Sequence, residues 1–219
     1  MEEGWGVVQA LISASSGLTG VWLGGHLTSR REERRQKAER QLAATYLATL
    51  VLAHLDRLVE ECVDVSFDDG ASEGRPAGED GYSQATTSTP CFEPLSLEVD
   101  WKAISADVMY DLLNLPHRIH ELQRYLNNPG FDDPPDYADY FWTRRYEFAQ
   151  LGLDVIALAS RLRSNAGLPP PTPGPGGQQS DALLRERKDQ LAEVRRAFEE
   201  RQASAMSAFI PPAPSTQSY

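Results

Sequence analysis

Cysteine is scarce in this 219-residue chain: Cys62 and Cys91 are the only two, and no CxxC spacing is present. A multiple-disulfide scaffold and a CxxC redox or zinc pair are excluded on that count. Positive charge is short as well, with 21 Lys and Arg against 32 Asp and Glu and a net charge of −11. A general nucleic-acid binder needs concentrated Lys and Arg to neutralise phosphates, so nucleic acid is not an expected partner. The phosphate-loop, dinucleotide, nucleophile-elbow, zinc-helix and calcium-loop patterns are all missing. No run alternates β-branched and polar residues between turns, so strands are not expected. The sequence therefore assigns no catalytic, cofactor-binding or metal-ligating residue and no cofactor, and the expectation is an interaction or scaffold protein that is not an enzyme, with an enzyme whose site carries no recognised motif as an alternative.

The negative charge is unevenly spread. Residues 56–100 carry −10 of the −11, whereas 29–55 carry +3. The stretch around Asp68, Asp69, Glu73, Glu79 and Asp80 is also rich in Gly, Ser and Thr, which predicts a solvated, flexible acidic loop over 67–99.

Charge is missing altogether from Trp5 to Leu27, a run of 23 residues. As a helix at about 1.5 Å per residue it would extend about 35 Å, enough to cross a bilayer core of about 30 Å. Gln9, Ser13, Ser15, Ser16, Thr19 and His26 dilute its apolar character. Its flanks are asymmetric: Met1-Glu2-Glu3-Gly4 precedes it, and Arg30-Arg31-Glu32-Glu33-Arg34-Arg35-Gln36-Lys37 follows. The positive-inside rule then predicts a single-pass protein of the inner (plasma) membrane, N-terminus outside and C-terminal body cytoplasmic. A cleaved secretory signal would carry the opposite charge order. Trp5 and Trp22 lie near its ends, at headgroup depth.

Gln9, Ser13, Ser16, Gly20 and Gly24 recur every three or four residues and share one helix face. The series Ser16, Gly20, Gly24 is the small-residue pattern that lets two membrane helices approach, so a homo-oligomer through these residues is expected, with a polar-lined pore or lysis-type effector as the alternative. The arginine run suits anionic lipid headgroups, although topology alone accounts for it.

The remaining pattern is helical. Helix 1 spans 28–66, with Glu33 and Lys37 as an i, i+4 pair and an apolar face at Tyr46, Leu47, Leu50, Val51, Leu55, Leu58 and Val59. A second stripe, Trp101, Ile104, Val108, Leu112, Leu115, Ile119, Leu122 and Leu126, predicts a helix that Pro116 should kink or break near Leu115. Asn127-Asn128-Pro129-Gly130 is a stop. A third stripe, Tyr137, Phe141, Phe148, Leu151, Val155, Leu158 and Leu162, follows Pro134-Pro135-Asp136, with Asp136 as its expected cap and Arg144 in the apolar register. The predicted fold is all-α: a transmembrane helix at 5–27 continuing into a cytoplasmic antiparallel bundle of about three helices, with a helical hairpin over 100–166. A Pro/Gly linker at 167–180, a separate C-terminal helix at 181–207 that orders on a partner, and a disordered tail at 208–219 complete the layout.

Several side chains have spacings that bear on chemistry. His117, His120 and Glu121 have metal-ligand spacing, but Ile119 and Leu122 take the inward face and leave His117 and Glu121 on the solvent side, so solvated or capping histidines are expected. Asp107 and Asp111 form an acidic pair on a wet face. Cys62 and Cys91 are expected as free thiols in a cytoplasmic body. Tyr137, Tyr140, Phe141, Trp142, Tyr146 and Phe148, with Arg144 and Arg145 among them, are more aromatic than one buried stripe requires. A protein-contact surface at Tyr140, Trp142 and Arg145 is the resulting expectation. A weak span, an arginine run and a helical body together look like the layout of many small bacterial membrane proteins, a likeness that carries no activity.

Overall fold

The computed structural model describes residues 3–131, 134–171 and 180–208, with backbone alone over 3–29 and 207–208. Four helices dominate: α1 at Glu3–Phe67, α2 at Ala106–Leu126, α3 at Ala138–Asn165 and α4 at Ser180–Ala208. The all-α class holds. Strand structure among the described residues is confined to a two-residue antiparallel ladder, β1 at Ala71–Ser72 with β2 at Arg75–Pro76.

Helix α1 is continuous for 65 residues, about 97 Å at the standard rise. No glycine or proline interrupts it after Gly25, and Arg35–Glu39 and Arg57–Glu61 pair along its exposed side. Ala44, Leu47, Ala48, Val51, Leu55, Leu58, Cys62 and Val65 are buried on one face. Tyr46 and Leu50 depart from the expected face: Tyr46 points outward at 60% exposure and Leu50 sits at the edge. One helix near the N-terminus is thus long and apolar enough to cross a membrane. Within 30–67 its apolar window is 44% buried, because those side chains also form the core of the bundle.

The hub is α3, which packs against α1, α2 and α4. Phe148, Ala149, Leu151, Val155, Leu158 and Leu162 supply its buried stripe, as their spacing predicted. Gly152 lies where three helices converge: a Cβ there would come within 2.7 Å of Leu184 Cδ1 and 3.1 Å of Cys62 Cβ. Only a residue without a side chain lets α4 come this close to α3 and α1. The C-terminus of α3 ends in paired reverse bonds, Leu168 N to Arg163 O at 2.9 Å and Gly167 N to Ser164 O at 3.2 Å. Gln41 Nε2 of α1 donates to the Ala166 carbonyl at 2.7 Å, tying that end to the first turns of the bundle.

Five sequence expectations need correction. Pro116 does not break α2, which runs through it; the ring costs only the bond to the Leu112 carbonyl, and Leu112, Leu115 and Ile119 stay buried in register. Trp101 opens a preceding 3-10 turn, Trp101–Ala103, and Ile104 follows it in extended backbone; the turn is capped where the Asp100 side chain accepts from Lys102 N. They continued the stripe only because a 3-10 turn spaces residues almost like a helix. Asp136 does not cap α3: the helix opens at Ala138 behind Tyr137, whose backbone is left-handed at φ 48°. The C-terminal helix is not separate, since Leu184 and Leu191 of α4 are buried against the bundle. Finally, the acidic segment is not a free solvated loop. Pro90 and Phe92 are buried, and Leu97 and Val99 pack on the core, because apolar residues alternate with Glu93, Glu98 and Asp100 in its second half. Residues 172–179 of the expected linker and 209–219 of the expected tail lie outside the described residues.

Candidate functional site

At the end of α1 the chain turns through Asp68, whose carboxylate is fully enclosed. Arg144 of α3 meets it at 2.7 Å with its own side chain 3% exposed. Thr86 and Thr87 each donate to the carboxylate through backbone N, both at 3.0 Å, and through hydroxyl, at 2.9 and 2.8 Å. Gly70 N adds a further bond at 3.1 Å, and Arg144 also donates to the Thr87 carbonyl at 2.9 Å. Burial works against the charged form of Asp68, but the Thr87, Arg144 and Gly70 hydrogen bonds outweigh it and hold the carboxyl far below the usual range. A carboxylate so satisfied has no free lone pair to act as a base. Its role is to pin the acidic segment to α1 and α3. Gly70, at φ +77°, passes under the Phe141 ring, where a Cβ would come within 2.3 Å of Phe141 Cζ.

The pinned segment forms one wall of an open cleft of about 880 Å³, facing the end of α2 and the start of α3. Glu79, Asp80, Tyr82, Tyr137 and Tyr140 line it, so carboxylates and phenols share one concave surface. Tyr82 and Tyr137 face each other at 6.4 Å between ring centroids, and Tyr140 meets Phe141 edge to face at 5.1 Å.

Beyond the cleft, the excess aromatics of α3 have an intramolecular partner. Trp142 stacks on Tyr146 at 5.1 Å and donates from Nε1 to the Leu191 carbonyl of α4 at 2.8 Å. Arg195 lies over Trp142 at 5.1 Å and pairs with Asp139; Lys188 lies over Tyr146 at 5.2 Å and bonds Gln150. Trp142 is therefore spent largely on holding α4. Of the three residues expected at a contact surface, Tyr140 reaches the open cleft, and half-buried Arg145 lines a smaller one of about 310 Å³ at the α3–α4 junction.

The remaining candidate residues scatter over the surface and core. His117 and His120 are exposed on α2, and Glu121 pairs with Arg124 at 2.7 Å. Asp107 and Asp111 do have a partner, Arg161 of α3, which bridges both. The Ser105 and Arg161 hydrogen bonds lower the Asp107 carboxyl to about 2. Both thiols are free, Cys62 buried and Cys91 exposed. Burial, and then the charge of Glu61, push the Cys62 thiol up to about 12, so it is inert. Ser16, Gly20 and Gly24 lie in the backbone helix of α1, and their face falls outside the described side chains.

Asp68 is the site residue that sequence reasoning missed. Its signal was Arg144: an arginine in an apolar register needs a buried counter-charge. The chain matches no protein-family model, no curated protein and no solved structure.

Proposed function

We propose that this protein is a single-pass, membrane-anchored helical interaction module without catalytic activity, spanning at residues 5–27 with its bundle in the cytoplasm. The observation that carries this reading is the layout of α1. An uncharged 23-residue run, acidic before and arginine-rich after, belongs to the same unbroken helix as the core stripe Leu47, Val51, Leu55 and Leu58. A helix shared by anchor and core holds the bundle at a fixed rotation relative to the bilayer, with no linker between them. Self-association through Ser16, Gly20 and Gly24 would then pair two bundles in defined register. The surface offered to a partner is the cleft at Tyr140 and Tyr82 with Arg145 on the neighbouring face, while Trp142 secures α4.

Extraction tests the anchor: the full chain should stay with membranes through an alkaline carbonate wash, and recovery in the soluble fraction overturns the reading. Orientation is read on Cys91, the exposed thiol. A membrane-impermeant maleimide should label it only after the cells are permeabilised, and labelling of intact cells reverses the topology.

A further inference from the structure

On the outer side of the α3–α4 junction, two arginines share a cleft of about 550 Å³. Arg145 of α3 and Arg187 of α4 line it together with Gln190, Leu191, Val194, Ala197 and, at the rim, Glu193. Both residues are half-buried. Arg145 spends its Nε on the Phe141 carbonyl at 3.1 Å; Arg187 spends its Nε on the Ser66 carbonyl at 2.9 Å and rests over the Phe67 ring. Neither forms an ion pair among the described residues; among the arginines of α2, α3 and α4 only Arg196 and Arg201 share that state, and both of those are exposed. Burial lowers the basicity of both, and the charge of Arg187 lowers that of Arg145 further. The charge of Asp69 acts on both and that of Asp68 on Arg145 as well, but Asp68 is already paired with Arg144 and the Asp69 carboxylate accepts from Ala71 N at 3.1 Å. Arg187 Nη1 also donates to Gln190 Oε1 at 3.4 Å, a long bond that an anion can displace. Two like charges are therefore held in one cleft, part-desolvated, with Arg187 Nη2 and the terminal nitrogens of Arg145 making no hydrogen bond among the described residues.

We propose that this cleft is an oxyanion site: Arg145 and Arg187 together bind a phosphate or carboxylate group whose apolar substituent lies along Leu191, Val194 and Ala197. A planar or tetrahedral oxyanion accepts from two guanidinium forks at once and cancels their repulsion, which one surface arginine cannot do. The apolar wall selects for an anion that carries a hydrophobic group over a bare ion. A lipid headgroup of the anchoring membrane is the wrong source. Arg187 sits beside Phe67, and 37 residues of α1 separate Phe67 from Arg30, about 55 Å along the helix.

The test is a titration of the full chain in detergent micelles at constant ionic strength, read by calorimetry. Inorganic phosphate, phenyl phosphate and a capped Glu-Leu dipeptide serve as probes. Phenyl phosphate should bind saturably and at least tenfold more tightly than inorganic phosphate, and its preference over the dipeptide, or the reverse, distinguishes a free phosphate ester from a peptide carboxylate. Arg145→Gln and Arg187→Gln should each weaken binding at least tenfold, and Glu193→Gln should strengthen it about twofold. Because Arg187 also supports α4, Arg145→Lys and Arg187→Lys provide the folded control: charge stays, the fork is lost, and affinity should fall less than with Gln. Absence of saturable binding by every probe, or equal affinity in wild type and both Gln variants, overturns the proposal.

Discussion

Two arginines of α3 each draw carboxylates from another element, and they do so in opposite surroundings. Arg144 reaches Asp68 in a site with no water access, where every lone pair of the carboxylate is taken by Thr86, Thr87, Gly70 or the guanidinium. Arg161 bridges Asp107 and Asp111 of α2 on a face where all three side chains are at least 41% exposed. In water the attraction is screened and the side chains give up entropy to meet, so the exposed triad contributes little. In the enclosed site the charges have already lost hydration, and removing one partner strands the other. The same ion-pair chemistry thus makes one contact a structural node and the other a decoration, and the difference is burial alone.

The largest expected effect comes from breaking the node. Arg144→Ala leaves Asp68 buried and unpaired, and should cost about 3–5 kcal/mol in urea unfolding, the range for an orphaned buried charge. The double variant Asp68→Asn with Arg144→Met removes both charges and should recover part of that loss. Equal destabilisation in the single and double variants would show that the node works through shape and not charge. Next in size is Leu184→Ala, which empties the seat between Gly152 and Cys62 and should cost about 2 kcal/mol or more. In that variant Cys62 should begin to react with a thiol reagent under native conditions. In the parent chain only Cys91 should react, because Cys62 is enclosed and its thiolate suppressed.

Acid sharpens the comparison further. The folded Asp68 carboxyl lies far below its unfolded value near 3.9, so its contribution is complete above about pH 5 and declines as the pH falls toward the folded value. The wild type should therefore lose stability progressively below about pH 5, and Asp68→Asn should show a shallower decline over the same range. Identical slopes would remove Asp68 as the source.

What the sequence shows and hides follows from the same physics. Helix positions, the buried stripes of α2 and α3 and the exposure of His117 were legible, because amphipathic periodicity is a local property. The solvated acidic loop was misread because a −10 total conceals one aspartate with a distant partner: Asp68 and Arg144 are 76 residues apart. The docking of α4 was hidden for a related reason. Its stripe is sparse, and what fixes it is a glycine on α3 and an indole N–H that ends on the Leu191 carbonyl. Trp142 stood in the sequence as an excess aromatic free for a partner, and the partner is a helix of its own chain.

The smallest effect is the sharpest check on the role of burial. Arg161→Gln removes the hub of an ion triad that, in a drawing, looks stronger than the Asp68 node: one guanidinium pairs with two carboxylates there and with one at Asp68. If ion-pair number set stability, this variant would approach Arg144→Ala. Solvent screening says otherwise, and the urea midpoint should be unchanged within error at moderate salt. The hydrogen bonds to Asp107 and Asp111 that raise the basicity of Arg161 act on a group in open water, so its lost partners are replaced by solvent. A small midpoint decrease at low salt that vanishes as salt is added would still fit this account. A salt-independent loss comparable to that of Arg144→Ala would break it, and would mean that the α2–α3 seam depends on its charges more than on Leu112, Leu115 and Ile119 beneath them.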